Sequence, residues 1–136
     1  MSSDTLAEET ALVTGASSGI GEATAHALAA RGADLALAAR REERLEAIAE
    51  TLRAEYDVAA LVVPTDVTDV PAVEAMVETT VDELGGLDIL VNNVGLVRGE
   101  GVDDLSTEEY RTMMDVNVDG YFFPTREALP HVREAG

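Results

Sequence analysis

Short apolar runs alternate with amphipathic stretches along most of this chain. Four runs are rich in Ala, Val, Leu and Ile, and each has the length of a strand: 10-TALVT-14, 34-DLALAA-39, 59-AALVVP-64 and 87-LDILV-91. Because these runs are apolar nearly throughout rather than at alternate positions, they are typical of strands buried on both faces. The pattern therefore predicts a parallel sheet that is covered by helices on both sides.

The stretches that separate the runs have helical spacing of their apolar residues. The first covers 19–31, and the second lies between the second and third runs. A third begins after an N-cap at Asp69 and stops at Gly85, since glycine commonly ends a helix. These stretches supply the helices that a parallel sheet needs.

A long helical stretch closes the chain. Ser106 and Glu109 have the spacing of a capping box, which predicts a helix start. The helix continues towards Arg133, and we expect a bend near 117–120 and Pro124 because proline lacks the N–H group that a regular helix uses.

This alternation predicts a single Rossmann-type α/β domain over residues 1–136, with a doubly wound parallel sheet. Right-handed crossovers and a doubly wound start give the strand order 3-2-1-4. A chain of 136 residues is long enough to bury a core as one domain.

Composition narrows the classes of partner. The chain has 27 acidic residues against nine basic ones, all of them Arg, and a net charge of −18. Such a charge repels nucleic acid and anionic membranes, and no apolar run reaches the ~20 residues of a membrane span. Cysteine is absent, and the acidic clusters are interpreted as solvated surface, so no metal site is predicted.

Composition also suggests a setting for the protein. The first residues lack the basic and apolar regions of a signal peptide, so we expect a soluble cytoplasmic protein. Many acidic residues, no Lys and few aromatic residues resemble the proteins of salt-loving organisms, and an ordinary acidic protein is the alternative.

The most informative motif is 14-TGASSGIG-21, between the first run and the first helical stretch. It is not a P-loop, because that motif needs a Lys after its last Gly, whereas Glu22 follows here. It differs from G-x-G-x-x-G in its wider first gap, and a tight turn without ligand is the alternative. A place between strand and helix puts backbone N–H groups where a pyrophosphate can bind, and Ser17 and Ser18 add hydroxyl groups.

The pattern T-G-x-x-x-G-I-G resembles the short-chain dehydrogenase/reductase family, classical type. Further motifs follow in the family's order: 92-NNVG-95 resembles its Asn-Asn-Ala-Gly element, Asp66 its Asp after the third strand, and Asn117 its catalytic Asn. The segment 126-REALPHV-132 resembles the helix that leads to the family's fifth strand. The resemblance covers about 9–136 and implies the amino-terminal, cofactor-binding half of such an enzyme, truncated before the fifth strand.

The resemblance implies roles around the phosphates and the adenine of a dinucleotide. Residues of the Gly-rich stretch would bind the cofactor phosphates: Gly15, Ser17, Ser18, Gly19 and Ile20. Asp66 would accept a hydrogen bond from the adenine amino group, with Val67 beside it. The structural alternative is that Asp66 only caps a turn.

It also implies roles nearer the ribose and the chemistry. Asn92, Asn93 and Gly95 would line the ribose region and hold the fourth strand against the Gly-rich turn. The backbone of Asn117 would hold a water molecule of the proton relay. The alternative for Asn92 and Asn93 is that they satisfy loop backbone.

Two arginines follow the second strand, where an NAD site would have an acidic residue. Ala39 is uncharged, and Arg40 and Arg41 come directly after it. Guanidinium groups suit the 2′-phosphate of NADP, which they can bind bidentately. We therefore expect NADP rather than NAD, and the alternative is that Arg40 pairs with a nearby Glu such as Glu43 or Glu46.

The family's chemistry also uses a Ser, a Tyr and a Lys four positions after the Tyr, all beyond its fifth strand. This chain contains no Lys, so no Tyr-x-x-x-Lys is possible, and Asn117 alone remains of the catalytic set. The resemblance implies an NADP-dependent oxidoreductase acting on an alcohol or carbonyl substrate in a full-length form, with cofactor binding alone in these residues. A nucleotide-binding module without catalysis and an oligomeric remnant without cofactor are the alternatives.

Association is expected as well. Without a fifth strand, the fourth strand would present an unpaired edge, which invites pairing with another chain. The last helix would also expose apolar side chains, namely Tyr110, Met113, Met114, Val118, Phe122 and Leu129. We therefore predict a homodimer or a larger homo-oligomer.

Overall fold

The sheet has the predicted topology. A computed structural model describes residues 6–93 and 106–135. Four parallel strands lie in the order β3-β2-β1-β4: β1 (Thr10–Thr14), β2 (Asp34–Ala39), β3 (Ala60–Pro64) and β4 (Ile89–Val91). The predicted order 3-2-1-4 is therefore confirmed.

Helices cover both faces of this sheet, as the apolar runs predicted. They are α1 (Gly19–Ala30), α2 (Glu42–Tyr56), α3 (Val70–Leu84), α4 (Thr107–Met114) and α5 (Gly120–Ala135), with a π-helical segment (Asp115–Asp119) between the last two. Within the described ranges, none of the helices has both the length and the apolar composition that a membrane span requires.

Consecutive side chains of the central strands enter two different cores. On one face Val13 and Leu37 pack with Leu45 of α2. On the other face Leu12 packs with Met76 of α3, and all five side chains are fully buried. Burial on both faces explains why the strands lack polar alternation.

Two helix ends follow the predicted local signals, and the start of α3 follows its predicted signal only in part. Ser106 and Glu109 form the predicted capping box, with N–H···O distances of 3.0 and 3.1 Å. Gly85 ends α3 with φ of 86°, a left-handed conformation that glycine adopts without strain. Asp69 stands at the N-cap of α3, but its side chain makes no capping hydrogen bond. Its N–H donates to the carbonyl of Asp66 at 3.0 Å, so the preceding turn directs this helix start.

Where the sequence predicted a bend, the structure has a π-helical segment, Asp115–Asp119. Pro124 is buried inside α5, lacks an N–H group, and crowds the carbonyl of the residue four positions earlier, Gly120. Wider π-type bonding just before this point is one way in which a helix absorbs such a disruption, and it often accompanies functional sites.

Two carboxylates meet where β1 and β4 begin. Asp88 Oδ2 accepts a hydrogen bond from the Thr10 N–H at 2.7 Å, which joins the two strands. Repulsion from Asp88, followed by desolvation and a hydrogen bond between the two carboxyls, raises the pKa of Glu9 above its ordinary value of 4.5. The folded chain therefore holds this proton more tightly than the unfolded chain. That contribution to stability is complete below pH 4.5 and is lost as the pH rises through the folded pKa.

We expect Glu9→Gln to raise the melting temperature at neutral pH, because the substitution removes the charge that Asp88 repels. The gain should shrink as the pH falls towards 4.5, where Glu9 takes up a proton in the parent chain. Thermal unfolding by circular dichroism across this pH range measures it. Glu55→Gln on the exposed surface of α2 removes the same charge elsewhere. An equal gain in that control would mean that general self-repulsion, rather than Asp88, is responsible.

Candidate functional site

The Gly-rich stretch forms the turn that connects β1 to α1. Gly15 has φ of 61°, which favours glycine at this position. Ser18 is the N-cap of α1: its Oγ accepts a hydrogen bond from the Gly21 N–H at 3.1 Å and donates one to the Gly15 carbonyl at 2.9 Å. One hydroxyl group therefore closes the turn and starts the helix.

The start of α1 is open on its outer side. The N–H groups of Gly19 and Ile20 begin the helix and have no acceptor within it. Apart from its chain neighbours and the backbone of its own helix, no atom of residues 6–93 and 106–135 lies within 4 Å of a Cβ atom placed at Gly19, and the Ile20 side chain is 72 % exposed. Free N–H groups beside open space at a helix N-terminus are what an anion such as phosphate needs for close approach.

Gly21 has a different role from Gly19. A Cβ atom there would collide with the Gly15 carbonyl and would lie 2.7 Å from Asn93 Nδ2 and 2.9 Å from the Ala16 Cα atom. The missing side chain therefore lets α1 approach both the turn and the end of β4.

Hydrogen bonds connect the end of β4 to the same turn. The Asn93 N–H donates to Thr14 Oγ1 at 3.1 Å, and Asn93 Nδ2 donates to Ser18 Oγ at 3.0 Å. Thr14 Oγ1 in turn donates to the Val91 carbonyl at 3.3 Å. Sequence reasoning had not singled out Thr14, although its place as the first residue of the Gly-rich motif was a signal.

Asn92 faces the last helix rather than the turn. Its Nδ2 group donates to Thr125 Oγ1 of α5 at 2.9 Å. Its Oδ1 atom is buried and has no hydrogen-bond partner in the part of the chain that the structure describes. Asn92 and Asn93 therefore point to opposite sides of β4, and Asn92 retains one unsatisfied acceptor.

Asp66 closes the turn after β3. Its Oδ1 atom accepts hydrogen bonds from the Thr68 hydroxyl at 2.6 Å and the Thr68 N–H at 3.0 Å. These bonds, more than the attraction of Arg40, hold the pKa of Asp66 below its ordinary value of 3.8. The turn-capping role is thus present, and it leaves Oδ2 of an ionised carboxylate for another donor. Val67 is buried in the core with Leu12, so its side chain has a packing role.

The two neighbouring arginines face different surroundings. Arg40 is exposed and lies close enough to Asp66 to affect its ionisation. Arg41 lines an open cleft of about 390 Å³ between α1 and α2, together with Glu22 and Arg44. Among the residues in ranges 6–93 and 106–135, no ion pair joins Arg40 to a nearby Glu.

The remaining predicted residues lie elsewhere. Asn117 is half-buried in the π-helical segment and lines an open apolar groove with Val118, Tyr121 and Phe122. Gly95 lies outside the described residues. The structure therefore brings together Gly15, Ser18 and Asn93, and it leaves Asn117 on a separate element.

The family can now be assigned. The family model for short chain dehydrogenases matches residues 9–136. The chain belongs to the short-chain dehydrogenase family. This chain spans about half the length of the curated relatives that it matches.

Solved structures and a curated relative agree with the short-chain dehydrogenase assignment. Trans-4-hydroxycyclohexanecarboxylate dehydrogenase of Sinomonas cyclohexanicum is 37 % identical over 139 residues, which cover 98 % of this chain and 54 % of the relative. The L-sorbose reductase of Gluconobacter frateurii, solved with NADPH and L-sorbose, has a TM-score of 0.91 at 34 % identity, covering 98 % of this chain and 51 % of its own. An alcohol dehydrogenase of Thermococcus sibiricus, solved with 5-hydroxy-NADP, has a TM-score of 0.89 at 37 % identity, covering 93 % and 54 %.

Two glycines of this chain should respond differently to the same substitution. Gly21→Ala is expected to lower the free energy of unfolding by about 2 kcal/mol or more, because the new methyl group enters occupied space. Gly19→Ala should change it by less than about 0.5 kcal/mol, because the methyl group enters open space. Urea unfolding followed by circular dichroism measures both. Equal losses would contradict the assignment of Gly21 to packing and of Gly19 to an open surface.

Proposed function

We propose that this chain binds NADP(H) at the Gly-rich turn, as the amino-terminal part of an oxidoreductase that transfers hydride between NADP(H) and an alcohol or carbonyl substrate. The open helix start at Gly19 is the observation that carries the proposal. Among the residues that the structure describes, it combines N–H groups that have no acceptor within the helix with space beside Gly19 that no distant side chain fills. L-sorbose reductase was solved with NADPH, and the Thermococcus sibiricus enzyme was solved with 5-hydroxy-NADP. The similarity of this chain to both supports the proposal that it binds a dinucleotide.

The residues that would hold the cofactor fall into two groups. Those around the phosphates are Gly15, Ser17, Ser18, Gly19 and Ile20. Those around the adenine and ribose are Asp66, Val67, Asn92, Asn93 and Gly95. Since the Val67 side chain is buried, it would act through its backbone. Asp66 would use its second carboxylate oxygen to accept from the adenine amino group, while Thr68 occupies the first.

A preference for NADP over NAD rests on charge at the end of β2. Ala39 is nearly buried and uncharged, so no carboxylate stands where the ribose 2′-hydroxyl of NAD would be bound. Arg40 and Arg41 are both exposed there. Guanidinium groups would be attracted to the 2′-phosphate that distinguishes NADP.

Turnover would need residues beyond these 136. The chain has no Lys, so the Tyr-x-x-x-Lys of a full-length enzyme is not among them. When bound, the nicotinamide ring supplies the site that gives or accepts hydride. Of the chain's own residues, only Asn117 would take part in the chemistry, by holding a water molecule through its backbone. We therefore infer cofactor binding without turnover for these residues alone.

The cofactor preference makes a direct prediction. Arg40→Ala should raise the Kd for NADPH about ten-fold or more, since a charge-assisted hydrogen bond contributes about 1.5–3 kcal/mol. The Kd for NADH should change by less than about two-fold, because NADH has no 2′-phosphate. Titration of nicotinamide fluorescence at one fixed salt concentration measures both.

Two control variants make that titration decisive. Arg133→Ala removes the same charge from the exposed end of α5 and should leave both affinities unchanged. Gly19→Ala should weaken NADPH and NADH together, because both have the pyrophosphate that would approach there. The NADP preference is wrong if NADH binds the parent chain as tightly as NADPH and Arg40→Ala changes neither. Absence of binding at millimolar coenzyme would rule out the binding function itself.

Homo-oligomer formation is proposed from an exposed apolar surface. Large apolar side chains are more than a third exposed along α4, the π-helical segment and α5: Tyr110, Met114, Val118, Tyr121, Phe122 and Leu129. Contiguous apolar surface of this kind usually marks an interaction site. A cytoplasmic location and a salt-loving source remain predictions from composition.

Phe122→Glu is expected to shift the assembly towards monomer, because it places a charge in the middle of this apolar surface, where Phe122 is 56 % exposed. Multi-angle light scattering at high salt measures the mass. Ala54→Glu adds the same charge on the exposed side of α2 and should leave the mass unchanged. A monomeric parent chain would contradict the proposal.

A further inference from the structure

Arg44 reaches from the first turn of α2 to the Gly-rich turn. Its Nε donates a hydrogen bond to the Ser17 carbonyl at 2.8 Å, and its Nη2 lies 3.2 Å from Glu22 Oε1 in the first turn of α1. One planar guanidinium group therefore contacts both the turn and the helix that begins there. Lys could not reproduce this fork, since its ammonium group is a single point.

The contact with Ser17 acts on one peptide unit of the turn. The carbonyl of that unit accepts from Arg44, and its N–H, which belongs to Ser18, donates to the Gly15 carbonyl at 3.2 Å. Both polar ends of the Ser17–Ser18 peptide are thus held. Because Ser18 is the N-cap of α1, this peptide sets the direction of the N–H groups at the helix start.

The contact with Glu22 acts on the local charge. Glu22 lies in the first turn of α1, three residues after Gly19. A carboxylate there favours the helix but repels a phosphate that approaches the same N-terminus. The cleft beside it is lined by Arg41 and Arg44 and by Glu22 and Glu43, so removing Arg44 would leave it with a net negative charge.

We propose that Arg44 is a positioning residue for the dinucleotide. It fixes the Ser17–Ser18 peptide and offsets the charge of Glu22, so that the start of α1 can accept the cofactor's pyrophosphate. The inference rests on the proposed NADP(H) site and assigns Arg44 a different role from that of Arg40. Arg44 acts on the part of the cofactor that NADPH and NADH have in common.

Arg44→Gln is therefore expected to raise the Kd for NADPH and for NADH by a similar factor, about ten-fold. Arg44→Lys, which keeps the charge, should recover part of the affinity for both coenzymes. Adding Glu22→Gln to Arg44→Gln should also recover part of it, because the uncompensated carboxylate is gone. Fluorescence titration with each coenzyme supplies the values.

Thermal unfolding of each variant separates loss of binding from loss of folding. Since the Arg44 side chain is 52 % exposed, we expect its variants to remain folded at the titration temperature. Similar affinities in Arg44→Gln and the parent chain would overturn the proposal, and so would a loss confined to NADPH, which would indicate direct contact with the 2′-phosphate. If adding Glu22→Gln to Arg44→Gln recovered no affinity for either coenzyme, the proposal that Arg44 offsets the charge of Glu22 would be overturned. If the parent chain binds neither coenzyme, the proposed function fails first.

Discussion

The absence of a side chain at Gly21 is the constraint on which the candidate site depends. Helix α1 can approach the Gly15 carbonyl and the Asn93 amide only because no Cβ atom stands between them. That approach lets Ser18 Oγ serve three partners, namely the Gly15 carbonyl, the Gly21 N–H and Asn93 Nδ2. The turn, the first helix and the end of the fourth strand are thereby held as one unit.

Holding these elements by their backbones leaves the outer side of the helix start open. Gly19 and Ile20 present N–H groups there. In the described part of the chain, no side chain beyond the adjacent residues reaches the space beside Gly19, and Ile20 is exposed. The positive end of α1 can therefore act on a ligand rather than on the protein itself. Packing on the inner side and openness on the outer side come from two glycines only two positions apart.

The net negative charge of the chain opposes the binding of a phosphate at this helix start, and the nearby arginines offset it locally. A chain with a net charge of −18 repels any dinucleotide, and it repels one with an additional phosphate more strongly. The effect of distant carboxylates falls off over a Debye length of about 10 Å at 0.1 M salt. Nearby groups therefore decide the local potential. Arg40 lies close enough to Asp66 to lower the pKa of that carboxyl. Arg41 lines the cleft between α1 and α2, and Arg44 forms an ion pair with Glu22 next to the Gly-rich turn.

Unpaired and exposed groups lie at the edge of the sheet that β4 forms. Among residues 6–93 and 106–135, β4 pairs with β1 alone and Asn92 Oδ1 is buried without a partner. Phe122 is largely exposed. Members of the family that match this chain are about twice as long. A homo-oligomer or the remainder of a longer protein could each cover this edge.

Local information determined much of the fold. The bounds of β1 and β2 and the capping box at Ser106 followed from sequence because apolar runs and helix caps involve residues that are close along the chain. The strand order followed from the alternation of strands and helices together with the handedness of crossovers. The positions of the Gly-rich turn and of Asp66 followed for the same reason. Their cofactor contacts remain predictions.

Other contacts between distant residues depended on the tertiary structure. Arg44 is 27 positions from Ser17, and that contact leaves no periodic signal. The family resemblance placed Asn93 at the Gly-rich turn, but only the structure shows that its side chain donates to Ser18, 75 positions away. The different surroundings of Arg40 and Arg41, the burial of Val67 and the meeting of Glu9 with Asp88 depend likewise on how the elements pack. Residue type and spacing thus located the turn and its family. The packing of the elements sets the directions of the side chains. Those directions determined which hydrogen bonds hold the Gly-rich turn and which charged groups lie beside it.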